Sequence, residues 1–298
     1  MKTNKLWAFF CIHAIICLLM TGCDKNDPAL NGDLWLKMGD NTIVPTSGID
    51  IYDMSTHMIY LKKKLPYLKK VDRGGTMSIY VDDVEIYKCS FHPLYLSSLP
   101  TGPYISSPIF YQEDMIRINF MQFLNADNEP TVTDPRSDKR IIAALKKNHQ
   151  YHEGLHCEIL SVDYSNGKLF LTLELSNPDT FDYYYLDPDK MGFGLFHYFT
   201  NGPTLWDYRY QIYTNQETAT SPNPWNSWKK EWLSLIRSGQ RKKISLTYKQ
   251  FEKMPAGKYR MCFSFPGMSN QISQKELNHN GGRIWLGSLE IVKEVTIK

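Results

Sequence analysis

The sequence has little net charge, few cysteines and no long apolar run beyond its first two dozen residues. Its 34 basic and 31 acidic residues leave +3, and two of those charges, Lys2 and Lys5, stand at the extreme N-terminus. No strong field remains, which excludes a charge-driven partner such as nucleic acid or an anionic polymer. Lysines gather only locally, at 62–64, 69–70, 146–147 and 241–243, and read as solvated faces and strand ends. Of six cysteines, Cys11 and Cys17 fall in the apolar N-terminal run and Cys23 ends it. Cys89, Cys157 and Cys262 then allow at most one bridge, so a disulfide scaffold is excluded. Cys157 and Cys262 lie in apolar strand patterns and are expected as buried free thiols. After Cys23 no segment is long and apolar enough to span a bilayer. A phosphate-cradling glycine loop, a G-x-S-x-G elbow and an EF-hand loop are all lacking. The acidic stretch Asp179, Asp182, Asp187, Asp189 therefore reads as a solvated strand junction rather than a calcium loop. Carboxylate pairs for glycoside cleavage depend on a separation in space, which spacing in sequence does not set.

What is present begins with a leader. Lys2 and Lys5 precede an apolar run from Leu6 to Met20, interrupted mainly by His13, and Thr21-Gly22-Cys23 follows. The run has the layout of a secretory signal. Its end resembles the lipobox of signal peptidase II substrates, with Met20 where that family usually has leucine. The resemblance implies cleavage after residue 22, acylation of Cys23, and a body tethered to a membrane without crossing it. Asp24 and Asp27 resemble the acid-rich leader of surface-exported Bacteroidetes lipoproteins. That implies an outer-membrane, surface-exposed protein. Residues 23–33 are polar and turn-rich and read as the tether.

From Leu34 onward strand patterns dominate, and the fold expected is mainly β. A smaller strand-rich N-terminal domain is expected over 34–124. Its pieces are 49–52, 58–61, a hairpin 78–81/84–87 turning at Asp82-Asp83, and 115–123. Between them His92 to Tyr111 carries four prolines and reads as a long ordered loop or edge segment, not a central strand. Residues 125–154 read as linker and helix, opened by Asp134-Pro135. The C-terminal domain, 155–298, opens with a hairpin of 157–164 and 168–175 around Asn166-Gly167. Strands are expected at 183–186, 193–199, 208–213, 243–248, 257–265 and 284–292. A second helix is expected from Asn223-Pro224 to Gly239, with Trp225, Trp228, Trp232 and Ile236 on one face. Met254 to Tyr259, before the strand 260–265, resembles the tyrosine corner of immunoglobulin-like and fibronectin-like domains. That likeness implies an antiparallel immunoglobulin-like β-sandwich, with two short helices in the whole chain and a tyrosine hydroxyl tied to nearby backbone.

One motif invites catalysis. His152-Glu153-Gly154-Leu155-His156 satisfies H-E-x-x-H, whose spacing puts two zinc-binding histidines one helical turn apart with the glutamate as base. Gly154 inside the motif weakens a helix by about 1 kcal/mol, and an alternating strand pattern begins at His156. No third ligand stands out; His197 sits in an apolar run. A helix-to-strand turn fits these residues better, and a zinc hydrolase using His152, Glu153 and His156 is the alternative. The function expected is a non-enzymatic, cofactor-free envelope lipoprotein that binds or scaffolds. Its ligand would be a glycan or an envelope protein. Contacts are expected at Tyr95, Tyr104 and Tyr111 on the long loop and at Trp225, Trp228 and Trp232. Flat rings offer large area at low entropic cost. A structural subunit of an envelope assembly is the second alternative.

Overall fold

Leu34, Leu36 and Met38 are buried and alternate with half-buried Trp35 and Lys37, the period of a strand with one covered face. This strand opens a six-stranded sheet in the order Ile43–Val44, Leu34–Met38, Thr76–Val81, Val84–Pro93, Gly102–Ser107, Asn119–Met121. The computed structural model describes residues 32–71, 74–121, 132–224, 227–268 and 272–298. The leader, Cys23, most of the tether, much of the 125–134 linker and Trp225 lie outside these. The described residues are mainly β, with five sheets and a few short helices.

The second sheet runs Tyr151–His152, Ile49–Asp53, Met58–Leu61, Met115–Arg117. All four residues of Met58–Leu61 are buried. Ile59 and Leu61 enter one hydrophobic core, with Leu34, Leu36, Met77 and Ile116, while Met58 and Tyr60 enter another, with Met115. The sheet is thus a wall shared by two cores, which is why its sequence is continuously apolar rather than alternating. The N-terminal strands do not join the C-terminal sheets; they pack against them. The helix Lys139–Lys147 closes the first core with Ile141, Ala144 and Leu145, its N-terminus capped by the Asp138 carboxylate accepting from Arg140 N at 2.8 Å. The described residues of both cores run from Leu34 to Ile297.

Beyond His156 three sheets surround the second core. One is His156–Ser165, Lys168–Ser176, Arg241–Tyr248. A second is Ile212–Thr214, Thr204–Trp206, Gly257–Pro266, Ser288–Ile297. A third, Leu233–Ile236, Tyr183–Leu186, Gly282–Ile284, Asn278–His279, includes a parallel pair. Leu169, Leu171, Leu173 and Leu175 of the first meet Leu205, Met261, Phe263 and Phe265 of the second in the same core. The Asn166-Gly167 turn has positive φ at both residues, 51° and 73°, as a two-residue hairpin of this hand requires. The Asp82-Asp83 hairpin also forms, joining Thr76–Val81 to Val84–Pro93. Tyr259 Oη donates to the Pro255 carbonyl at 2.7 Å, the backbone tie expected of a tyrosine corner. Cys89, Cys157 and Cys262 are free, the first buried and the others half-buried.

Four elements depart from expectation. Phe193–Thr200 is a helix, not a strand. Phe193, Phe196, His197 and Thr200 follow a helical period, and in so short an apolar run that period is not separable from a strand by hydrophobicity. None of the described residues from Asn223 to Gly239 is α-helical; Lys230–Trp232 is a 3-10 turn and Leu233–Ile236 a strand paired with Tyr183–Leu186. Tertiary pairing overrides the helical period there. Gly102–Ser107 is a strand with a neighbour on each side, residues 102–104 pairing with Asn119–Met121 and 104–107 with Val84–Pro93. Residues 208–213 are mostly a hairpin loop, with the strand beginning at Ile212. More helices form than the two expected: Pro66–Lys70, Pro188–Met191 and Gln274–Leu277 are also α-helical.

Candidate functional site

The H-E-x-x-H residues do not share a helix. His152 ends a two-residue strand, His156 begins the next, and Gly154 between them has φ +74°. A β-carbon on Gly154 would stand 2.2 Å from Ser55 Oγ and 2.3 Å from Asp53 Oδ1, so only glycine fits. The two imidazoles are committed in different directions. His152 Nδ1 lies 2.9 Å from Asp179 Oδ1 and its ring stacks on Phe181 at 3.9 Å. His156 is exposed, with Nε2 3.7 Å from Glu153 Oε1. His197 lies on the helix Phe193–Thr200, within 3.2 Å of Asn215 Nδ2. Among the described residues no three of His, Cys, Asp and Glu gather as a metal-binding set.

What His152 joins is a buried polar network between the two cores. Asp179 is almost wholly buried and accepts from Gly154 N at 2.8 Å and Tyr183 Oη at 3.0 Å. Burial pushes its pKa up, but the His152 hydrogen bond and the Gly154 amide outweigh that and hold it well below the usual range. Asp53, equally buried, accepts from Ser55 N at 2.9 Å and Ser55 Oγ at 2.6 Å. Trp285 Nε1 donates onward to Ser55 Oγ at 3.2 Å. Burial first, with the Asp179 charge assisting against the Ser55 bonds, raises Asp53 to about 6. A carboxyl that holds its proton more tightly when folded loses stability as pH rises from its unfolded value, near 3.8, through 6. Asp53→Asn is therefore expected to exceed the parent in stability by about 2–3 kcal/mol at pH 7.5 and to match it at pH 4. Thermal melts across that range check it.

The aromatic residues expected to bind ligand are scattered. Tyr111 is buried, its hydroxyl 3.4 Å from the Met268 carbonyl. Trp232 is 7% exposed and packs edge-on against Phe199. Trp228 is half-buried against the second core, and Trp225 lies outside the described residues. Tyr104 is half-buried, edge-on to His92. Among the described members of the set, Tyr95 is the exposed one, on the loop after Val84–Pro93. Of these tryptophans the two described, Trp228 and Trp232, are half-buried and buried and are not on an α-helix.

An aromatic face does form elsewhere, on the hairpin Thr204–Trp206/Ile212–Thr214. Leu205 and Met261 point into the core, so their neighbours Trp206 and Arg260 point out. The register aligns Ile212, Trp206, Arg260 and Glu294 in one row across the outer face of the sheet. Tyr208 and Tyr210, 75% and 77% exposed, stand on the loop above that row. Trp206, Tyr208, Tyr210, Arg260 and Glu294, together with Asp207 and Lys293, line a groove of about 500 Å³. The loop is built, not slack. Asp207 Oδ1 accepts from Arg209 N at 2.8 Å and Gln211 N at 2.9 Å, and Tyr210 N donates to Asp207 O at 3.1 Å. Tyr210 adopts φ +61°, a left-handed conformation that glycine or asparagine occupies at far lower cost. A bulky ring in that conformation carries about 1–2 kcal/mol of strain.

Spacing hid this site. Residues 208–213 alternate aromatic with polar and pass for a strand. Asp207, a side chain suited to hold backbone amides two and four residues on, was the available signal of a turn. Comparison with known proteins finds no matching family model and no matching curated protein.

Proposed function

We propose that this chain is a non-enzymatic, acyl-anchored lipoprotein of a bacterial outer membrane that binds a neutral glycan on the Trp206–Tyr208–Tyr210 face. The carrying observation is the exposed aromatic hairpin with Tyr210 held in a left-handed conformation. Pyranose rings stack their apolar faces on flat aromatic side chains, and polar groups at the rim orient the hydroxyls. Arg260 and Lys293 are offset by Asp207 and Glu294 around the groove. That balance suits an uncharged ligand better than a charged one.

The scaffold is read as a fibronectin- or immunoglobulin-type sandwich with insertions. In chain order the first, second and fifth strands of the two facing C-terminal sheets form one sheet. The fourth, third, sixth and seventh form the other. That order and the Tyr259 tie support the reading. The anchor reading rests on the Lys2 to Cys23 leader. Two measurements test the proposal. Intact-mass analysis of membrane-purified protein is expected to give an acylated Cys23 as the first residue; an unmodified N-terminus contradicts the anchor. Trp206 is the tryptophan most exposed among the described residues. A neutral oligosaccharide that binds is therefore expected to blue-shift tryptophan emission in the parent and not in Trp206→Phe.

A further inference from the structure

A second surface, at one end of the six-stranded sheet, combines exposed apolar side chains with lysines. Three connections meet there, over residues 62–71, 94–101 and 107–113. Leu94 N donates to Ser107 O at 2.9 Å, Ser107 Oγ to Val71 O at 3.0 Å, and Leu65 N to Glu113 O at 2.9 Å. These bonds fix the three connections as one built surface. Its apolar points are Leu94, Leu99 and Phe110, exposed by 49%, 64% and 50%. On the connection 62–71, Lys63, Lys64, Lys69 and Lys70 are all exposed. Lys64 and Lys69 line one groove with Pro108 and Ile109. Glu113, 3.6 Å from Lys64, is the acid that offsets part of this charge.

We infer that this end of the molecule docks onto a bilayer containing anionic phospholipid. Separated apolar tips with lysines beside them match a membrane interface, where the tips enter the acyl boundary and the ammonium groups meet headgroup phosphates. A protein partner of this size would favour a contiguous apolar core with charge pushed to the rim; here the apolar points are spread and the cations lie beside them. The tether permits the pose. Val84–Pro93 spans about 30 Å between the Leu34 end of the sheet and this surface. The nine links from Cys23 to Gly32, where the described body begins, reach about 30–32 Å at full extension. The body could therefore lie against the membrane that holds Cys23, with the glycan face left free. Only that tether argument rests on the proposed anchor.

Residues 24–298, which lack the cysteine that would be acylated, separate this claim from the anchor. In a vesicle flotation assay the fragment is expected to rise with phosphatidylcholine vesicles containing 30% phosphatidylglycerol and to stay down with pure phosphatidylcholine. Binding is expected to weaken strongly between 50 and 500 mM salt. Leu99→Ser with Phe110→Ser, and separately Lys63→Glu with Lys69→Glu, are each expected to lower partitioning at least tenfold. All four side chains are exposed, so melting temperatures should hold and serve as the folding control. Absence of flotation with the anionic vesicles overturns the inference. So does flotation that either folded variant leaves unchanged. A dimer of the fragment that both variants abolish, without vesicle binding, would assign the surface to a second copy of the chain instead.

Discussion

Trp206→Ala is expected to lower affinity for a neutral polysaccharide by roughly 30- to 1,000-fold, the effect of removing about 2–4 kcal/mol from a central aromatic anchor. The fold should scarcely respond. Trp206 is 37% exposed, and its strand is held by pairing on both sides and by Leu205 in the core. Tyr210 offers a sharper separation of binding from stability. Tyr210→Gly removes the ring and also relieves the left-handed strain at φ +61°. The relief of about 1–2 kcal/mol exceeds the added chain entropy of about 0.5–1 kcal/mol. The variant is therefore expected to bind at least tenfold more weakly while melting no lower than the parent. A residue kept for packing would do the opposite. Titration calorimetry and thermal melts on the same samples read both quantities.

The largest effect on stability is expected at Asp179. Its carboxylate takes the Gly154 amide, the Tyr183 hydroxyl and the His152 ring, all in a buried seam between the two cores. Asp179→Ala leaves those buried donors without an acceptor, at a cost of about 3–5 kcal/mol. The pH dependence should change with it. A carboxylate held below its usual range contributes stability above its unfolded pKa, near 3.8, and loses it as pH falls further. Asp53 acts in the opposite sense between about 3.8 and 6. The parent should therefore be most stable near pH 4, close to the unfolded value of both carboxyls, falling on both sides, and Asp179→Asn should lose the acid limb. Urea unfolding at several pH values would show it. An Asp179→Ala protein as stable as the parent would remove the network from the account.

Local chemistry was legible where it acted locally. The Asn166-Gly167 turn and the Asp82-Asp83 hairpin announce themselves because turn conformations select a few residues. The tie at Tyr259 was legible for the same reason. The helix at Phe193–Thr200 was not, because eight mostly apolar residues carry no usable contrast between periods. Trp225, Trp228, Trp232 and Ile236 do follow a helical period. Yet Leu233–Ile236 gains more by pairing with Tyr183–Leu186, a partner some fifty residues away that spacing does not reveal. The shared wall at Met58–Leu61 was seen as a strand, but its second buried face depends on a core assembled from the other half of the chain. The same limit applied to the site. Exposure separates Tyr208 and Tyr210 from Tyr111 and Trp232, and exposure is a property of the packed molecule. Asp179 read as a solvated junction because its partners, at 152 and 154, meet it only in the fold.

The central claim is a glycan-binding aromatic hairpin on this body. Affinity electrophoresis tests it most directly, with native gels cast with single neutral polysaccharides (dextran, mannan, xylan, starch or β-glucan). Retardation of the parent by at least one of them is expected, with loss of that retardation in Trp206→Ala and in Tyr210→Gly at unchanged melting temperature. Free migration of the parent through every gel, or equal retardation of the variants, would contradict it.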